Sequence, residues 1–233
     1  MGYVFATGFS RAGASVIING TTAAGVNSAA REINNGGGAA EAAAFDVNDY
    51  DEVRRAIAGL LDQGQIDVLV NNAGIQRRDP LIEMSVDNWK QVIDTNLSSV
   101  FAVSQMVAKS MMDSGGGKIV NISSLNSIGA RPTIANYSAA KAGLNALTRS
   151  MATEWGPYNI QTNAIAPGYF ATDLTRPLAE DVQFDSWVKS EVPLGRWGNP
   201  EELQGAAIFL ASDAASYVNG HVLVVDGGWT ACL

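Results

Sequence analysis

Short apolar runs, each closing on a turn residue, alternate along this chain with stretches of helical periodicity. That alternation predicts parallel strands joined by crossover helices, which means an α/β doubly wound, Rossmann-like sheet in three layers. The runs are residues 15–20, about 39–45, 66–70, 118–122, 161–165 and 222–225. Apolar spacing predicts helices over about 23–34, 49–62, 86–112 and 134–155. Ser85 stands as N-cap to the third, with Asp87 in its first turn. No linker, repeat or low-complexity tract divides the 233 residues, so they read as one domain.

The opening departs from this plan. Gly2 to Arg11 reads as a helix, with Val4, Phe5 and Phe9 at helical spacing and Gly13 placed to end it. A doubly wound nucleotide-binding sheet begins instead with a strand and a glycine-rich turn. Thr7-Gly8 through Gly13-Ala14 imitates such a turn. The next strand starts at Ser15 or Val16, however, which leaves no room for the crossover that parallel neighbours need. The expectation is that Gly2 is the last glycine of the turn. On that reading about 20 residues, one strand and most of its turn, would stand ahead of it in a complete fold.

A formal net charge of -8 argues against nucleic acid as a main partner, since phosphate binding needs a basic face. No run approaches the roughly 20 apolar residues of a membrane span, and no charged-then-apolar leader opens the chain. A cytoplasmic protein without membrane partners is expected. The single cysteine, Cys232, excludes an internal disulfide and a cysteine-based metal cluster. His221, the one histidine, sits in an apolar strand pattern and reads as structural, and no metal site is expected.

Open α/β sheets bind ligands beyond the carboxyl ends of their strands. Asn19-Gly20-Thr21, Asp46-Val47, Asn71-Asn72-Ala73-Gly74, Ser124 and Pro167-Gly168 all fall at such ends. Ser124 lies thirteen residues before Tyr137, and Lys141 four after it. Positions i and i+4 share a helix face, so the lysine amine can lie beneath the phenol. A free tyrosine titrates at about 10, and a nearby cation is expected to lower that value and permit proton exchange with a substrate oxygen. Ser124 can hold the same oxygen.

In this order, these motifs resemble the short-chain dehydrogenase/reductase family, over essentially the whole chain. The resemblance implies an NAD(P)-dependent oxidoreductase with Asn96, Ser124, Tyr137 and Lys141 as catalytic residues. It assigns the cofactor to Gly2, Asn19, Thr21, Asp46, Val47, Asn72, Ala73, Gly74, Tyr137, Lys141, Pro167, Gly168, Phe170 and Thr172. Asp46 would hold the adenine amino group, and Phe170 and Thr172 would face the nicotinamide carboxamide. The strand ending at Asn19 has no carboxylate to pair with an NAD ribose, which leans the choice to NADP.

Arg77, Asn126 and Arg131, with Ser124 and Tyr137, are the candidate substrate residues, because arginine binds carboxylates through two parallel bonds. Residues 172–199 read as a lid. Ile75-Gln76-Arg77-Arg78, Arg196-Trp197-Gly198-Asn199-Pro200 and Val218-Asn219-Gly220-His221 are similar to the gluconate 5-dehydrogenase and 2-dehydro-3-deoxy-gluconate 5-dehydrogenase branch. A sugar acid or polyol is the substrate this implies. A 3-oxoacyl-carrier-protein reductase is the alternative, although it would want a basic docking surface. A reading of another class is a non-catalytic fragment or dinucleotide-binding scaffold, because the phosphate-binding turn is not seen in the sequence. By resemblance, the helices at 86–112 and 134–155 pair across subunits, and Trp229 follows a second interface, giving a homotetramer or a dimer.

Overall fold

The computed structural model describes residues 1–232. Its strands are β1 (Ser15–Gly20), β2 (Ala39–Ala44), β3 (Val68–Asn71), β4 (Gly117–Ile122), β5 (Ile160–Pro167) and β6 (Val222–Val225). Every pairing is parallel. The strands form two ladders rather than one: β1 bonds to β2, and a second sheet runs β3-β4-β5-β6.

Helices α1 (Gly2–Arg11), α2 (Ala23–Asn35) and α3 (Tyr50–Leu61) alternate with the first strands. Gly13 ends α1 in the left-handed region, at φ +94°, which only glycine adopts freely. Asp49 caps α3 by accepting from the Asp51 and Glu52 amides at 3.1 and 2.9 Å. The Thr7-Gly8 pair lies inside α1, with Gly8 packed against the Gln204 side chain, so it forms no phosphate loop.

One helix was expected over 86–112. The structure has α4 (Val86–Ile93), a π-helical turn (Asp94–Ser98) and α5 (Ser99–Asp113). Ser85 caps this run by accepting from the Asn88 amide at 3.0 Å. The wide turn rotates the side chains after it, and such turns gather at functional positions. Next come α6 (Ala135–Trp155), the short helices α7 (Arg176–Ala179) and α8 (Val182–Glu191), and α9 (Gln204–Ala211).

Successive strand residues face opposite sides of a sheet, and β4 divides its neighbours accordingly. Val120 and Ile122 join Phe5, Ile165, Leu203 and Leu210 on the α1/α9 face. Ile119 joins Val53, Ile57, Val107, Met111 and Ile160 on the α3/α5 face. Both layers therefore meet at β4 and β5, and β5 is buried along its whole length. A third cluster seats α8: Leu125, Tyr169, Val188 and Val192 pack with Phe184, Trp187, Trp197 and Trp229. His221 departs from expectation, because it precedes β6 and is exposed. Only its backbone is engaged, its N–H donating to Asn163 Oδ1 at 2.9 Å.

Candidate active site

β4 runs into Ser123 and Ser124, both buried. The Ser123 amide extends the ladder by donating to Ile165 O at 2.7 Å. Ser124 is extended, and its Oγ accepts from the Asn126 amide at 3.2 Å, which starts a 3₁₀ turn over Leu125–Ser127. Asn145 of α6 clasps both sides of this loop. Ser123 Oγ donates to Asn145 Oδ1 at 2.6 Å, Asn145 Nδ2 donates to Ser127 Oγ at 2.8 Å, and Ser127 Oγ donates to Ser124 O at 2.6 Å. The sequence reading overlooked Asn145, whose only signal was an amide inside a long helix.

Asn145 acts on Ser124 through its neighbours, so it is a positioning residue. Asn145→Leu is expected to lower kcat about tenfold while KM for the cofactor stays put. Steady-state kinetics in both substrates checks the split, and Asn145→Asp, which keeps the acceptor for Ser123, should recover part of the loss.

The first turn of α6 brings Tyr137 to Ser124. Asn136 anchors that turn by donating from Nδ2 to Arg77 O at 3.1 Å. The phenol and the Ser124 hydroxyl face each other. Lys141, one turn on, places Nζ 5.7 Å from the Tyr137 ring centroid and donates to Ile122 O at 2.6 Å. The expectation of a phenol made acidic by this amine is not met. Burial raises the Tyr137 pKa, outweighing the Ser124 hydrogen bond and the Arg78 charge that lower it. Burial also lowers Lys141 to about 8, so the amine binds its proton less tightly than a free lysine does.

Asn96 is fully buried in the π turn and closes a two-way clasp on Ile75, accepting from its N–H at 2.8 Å and donating to its C=O at 2.9 Å. A methyl on Gly74 would lie 3.4 Å from Asn96 Oδ1 and 3.7 Å from Lys141 Nζ. Glycine there keeps the space between these two groups open.

The proposed cofactor turns lie along the carboxyl ends of the strands. Gly2 opens α1, and a β-carbon on it would meet Asn72 Nδ2 at 2.9 Å, so the helix N-terminus and the Asn72-Ala73-Gly74 turn adjoin. Asn19 clamps the neighbouring strand, its Nδ2 donating to Ala43 O and Phe45 O at 3.1 and 3.0 Å. Asn19→Asp would set a carboxylate against two carbonyls, so its expected result is a lower melting temperature alongside weaker NADPH binding. Calorimetry and fluorescence titration measure the two. Thr21 is exposed beyond β1. Asp46 Oδ1 is held by the Asn48 amide and side chain at 2.9 and 3.0 Å, and Val47 packs into the α3/α5 face. Pro167 ends β5, and Gly168 passes so near Asp226 that a β-carbon would lie 2.7 Å from its Cα.

Two side chains go elsewhere than expected. The Phe170 ring is buried in the α1/α9 core, against Gly198, because the bridge between Phe170 and Gly198 turns it inward. Its backbone alone borders the cleft, beside Thr172, whose amide donates to Thr175 Oγ1 at 3.0 Å. Arg77 turns out to Gln91, donating from Nε to Oε1 at 3.0 Å. The next residue, Arg78, is exposed as well, its Nε donating to Gln76 Oε1 at 3.1 Å. Burial and then the Arg131 charge lower its pKa, while Tyr169 and Tyr137 raise it. Its charge is felt at Tyr137, whose pKa it lowers.

Arg131 donates to the Tyr169 hydroxyl, with its guanidinium 4.2 Å from the Trp187 ring and 4.9 Å from the Phe184 ring. Asn126 adds an acceptor beside Ser124, since its Oδ1 is buried without a hydrogen-bond partner. The Ser124 and Tyr137 hydroxyls thus lie beside an orphan acceptor, with the Arg78 charge near enough to act on Tyr137. Among the described residues no cluster of His, Cys, Asp and Glu could hold a metal ion.

A family model described as enoyl-(acyl carrier protein) reductase matches residues 1–230. Gluconate 5-dehydrogenase of Gluconobacter oxydans (strain 621H) is 49% identical, over 100% of this chain and 91% of its own length. 5-Keto-D-gluconate 5-reductase of Escherichia coli (strain K12) is 46% identical, over 98% of this chain and 90% of its own. The crystal structure of a gluconate 5-dehydrogenase from Burkholderia cenocepacia J2315, in complex with NADP and tartrate, superposes with a TM-score of 0.96. It is 47% identical, over 99% of this chain and 91% of that one.

Proposed function

The chain belongs to the short-chain dehydrogenase/reductase family, and from that premise we propose a reaction: interconversion of a secondary alcohol and a ketone on a sugar acid, as in gluconate 5-dehydrogenases. The observation that carries this reading is the placement of Ser124, Tyr137 and Lys141 at the carboxyl end of β4, in a chain 49% identical to a gluconate 5-dehydrogenase. NADP, bound in the Burkholderia relative, is the favoured cofactor, and the strand end at Asn19 offers no carboxylate to repel a 2′-phosphate.

The residues present fit a nicotinamide dinucleotide at both ends of the cleft. The N-terminus of α1 has no side-chain cap, leaving its amides for a pyrophosphate. Gly74 keeps room beside Lys141, which would reach the nicotinamide ribose. When bound, the cofactor supplies or takes up the hydride. Tyr137 gives its proton to the carbonyl oxygen in reduction and takes it back in oxidation. Ser124 donates to that same oxygen, and Lys141 holds a positive charge below the phenol. Arg78 and Arg131 receive the carboxylate, and Asn126 Oδ1 accepts from a neighbouring hydroxyl.

The test is a panel of gluconate, ketogluconates, neutral polyols and acyl thioesters, run with both cofactors. Turnover of sugar acids is expected, whereas turnover of acyl thioesters alone would replace this reading with acyl-carrier-protein reduction. In the same assay Arg78→Met should raise KM for the sugar acid about tenfold or more and spare neutral polyols, since a charge-assisted carboxylate contact contributes roughly 1.5–3 kcal/mol. The assembly this reading carries is a cytoplasmic homotetramer. Exposed Val86, Trp89 and Phe101 on α4 and α5 supply an apolar face for it.

A further inference from the structure

The turn ahead of α6 is built against its own preferences. Pro132 is followed by Thr133 at φ +70°, the pattern of a type II turn, whose second inner position calls for glycine or asparagine. A β-branched side chain in the left-handed region crowds its own backbone. The one other non-glycine residue with positive φ among the described residues is Asn159, at φ +59°, and asparagine tolerates that conformation. Strain of this kind persists only where the surroundings hold it, and it gathers at active sites. Thr133 stands four residues before Tyr137.

What holds it comes from the loop after β3. The Asp79 amide donates to Thr133 O at 3.0 Å. The Asp79 carboxylate pairs with no cation among the described residues. Its Oδ2 accepts from Asn88 Nδ2, in the first turn of α4, at 2.7 Å. Asn136 Nδ2 reaches Asn88 O at 3.5 Å while it donates to Arg77 O at 3.1 Å, and Asn136 is fully buried. The contacts thus run from Thr133 through Asp79, Asn88 and Asn136, and close on the turn that carries Tyr137. Prolines stiffen both segments: Pro132 fixes its own φ, and Pro80 restricts Asp79 before it. The start of α6 needs this outside hold, because Ile134 at its N-cap position offers no side-chain cap.

We propose that Asp79 and Asn88 form a latch that keeps the Thr133 turn left-handed, and that Asp79 and Thr133 are thereby positioning residues for Tyr137. The consequence for catalysis rests on the reading of Tyr137 as proton donor; the latch itself does not. With the latch closed, the start of α6 is fixed against the loop at Arg77–Asp79, and the phenol faces Ser124. With the Asp79 carboxylate gone, Thr133 can relax to a negative φ, and the first turn of α6 swings with it, Tyr137 included. Neither positioning residue needs to touch the substrate.

The parent, Asp79→Ala, Thr133→Asn and the double variant test this together. Thr133→Asn relieves the strain but keeps the hand of the turn, so it should melt about 2–4 °C above the parent. Asp79→Ala should lower kcat about tenfold with KM for the cofactor in place. It should also speed amide exchange over residues 135–141 about tenfold. The double variant, with no strain left to release, should recover most of both losses, as should Asp79→Asn, which keeps an acceptor for Asn88. Losses in Asp79→Ala that Thr133→Asn does not relieve would overturn the latch, and so would a Thr133→Asn protein that melts below the parent. Exchange needs no substrate, so it separates this claim from the enzymatic one. Exchange coupled between the two positions without turnover of any sugar acid keeps the latch and removes the proposed function, whereas turnover with uncoupled exchange does the reverse.

Discussion

Tyr137→Phe is expected to lower kcat by about 10²–10⁴-fold and to leave NADPH affinity within about twofold. The substitution removes one oxygen from a ring that packs the same way. The proton that oxygen trades with the substrate is needed only during the chemical step, so the loss belongs in kcat and not in cofactor KM. Burial holds the Tyr137 pKa above that of a free phenol, which keeps the group protonated at neutral pH and suited first to donation. Ketone reduction should accordingly hold up through neutral pH and fall only when the medium becomes alkaline. Stopped-flow measurement of NADPH consumption across pH reads both effects.

The second large effect concerns Lys141 and appears in stability. In the folded chain its pKa is about 8, against 10.5 for a free lysine. Below pH 8 both states bind the proton, and the full cost of a buried cation is present. Between about 8 and 10.5 the unfolded chain binds more protons than the folded one, so stability rises with pH as that cost is relieved. The shift corresponds to about 3 kcal/mol. Lys141→Met removes the titration while leaving Tyr137 in both proteins. The stability of the parent relative to the variant should therefore climb by a figure of that order between pH 7 and 10.5 in urea unfolding. Activity should fall in the same variant, because the charge below the phenol is lost. A parallel pair of curves would mean that Lys141 is not buried as described.

Much of the architecture was legible because local signals agreed with one another. The ends of β1 and β6, the cap at Ser85, and the helix over 2–11 closed by Gly13 follow from short apolar runs, one hydroxyl and one glycine. The π turn was not legible. Its only trace was Asn96 at a helix-interior position, and periodicity cannot register one extra residue in a turn.

Ser124, Tyr137 and Lys141 are brought together, yet their electrostatics run against expectation. Spacing places an amine under a phenol but says nothing about desolvation, which here outweighs the charge. Arg77 and Arg78 show a related limit. Adjacent residues in an irregular loop take different partners, Gln91 for one and Gln76 for the other, and spacing alone does not tell which. Phe170 looked like a cleft residue by position, but a two-residue bridge to Gly198 sends its ring into the core.

The central claim is that Tyr137 and Ser124 serve one and the same substrate oxygen. A double-mutant comparison of Ser124→Ala, Tyr137→Phe and the pair, by single-turnover reduction of a ketogluconate at saturating NADPH, tests it most directly. Residues acting as a unit lose their effect together, so the paired variant is predicted to be no more than about threefold slower than Tyr137→Phe alone. Losses that multiply, with the pair slower by the product of the two single effects, would contradict the account.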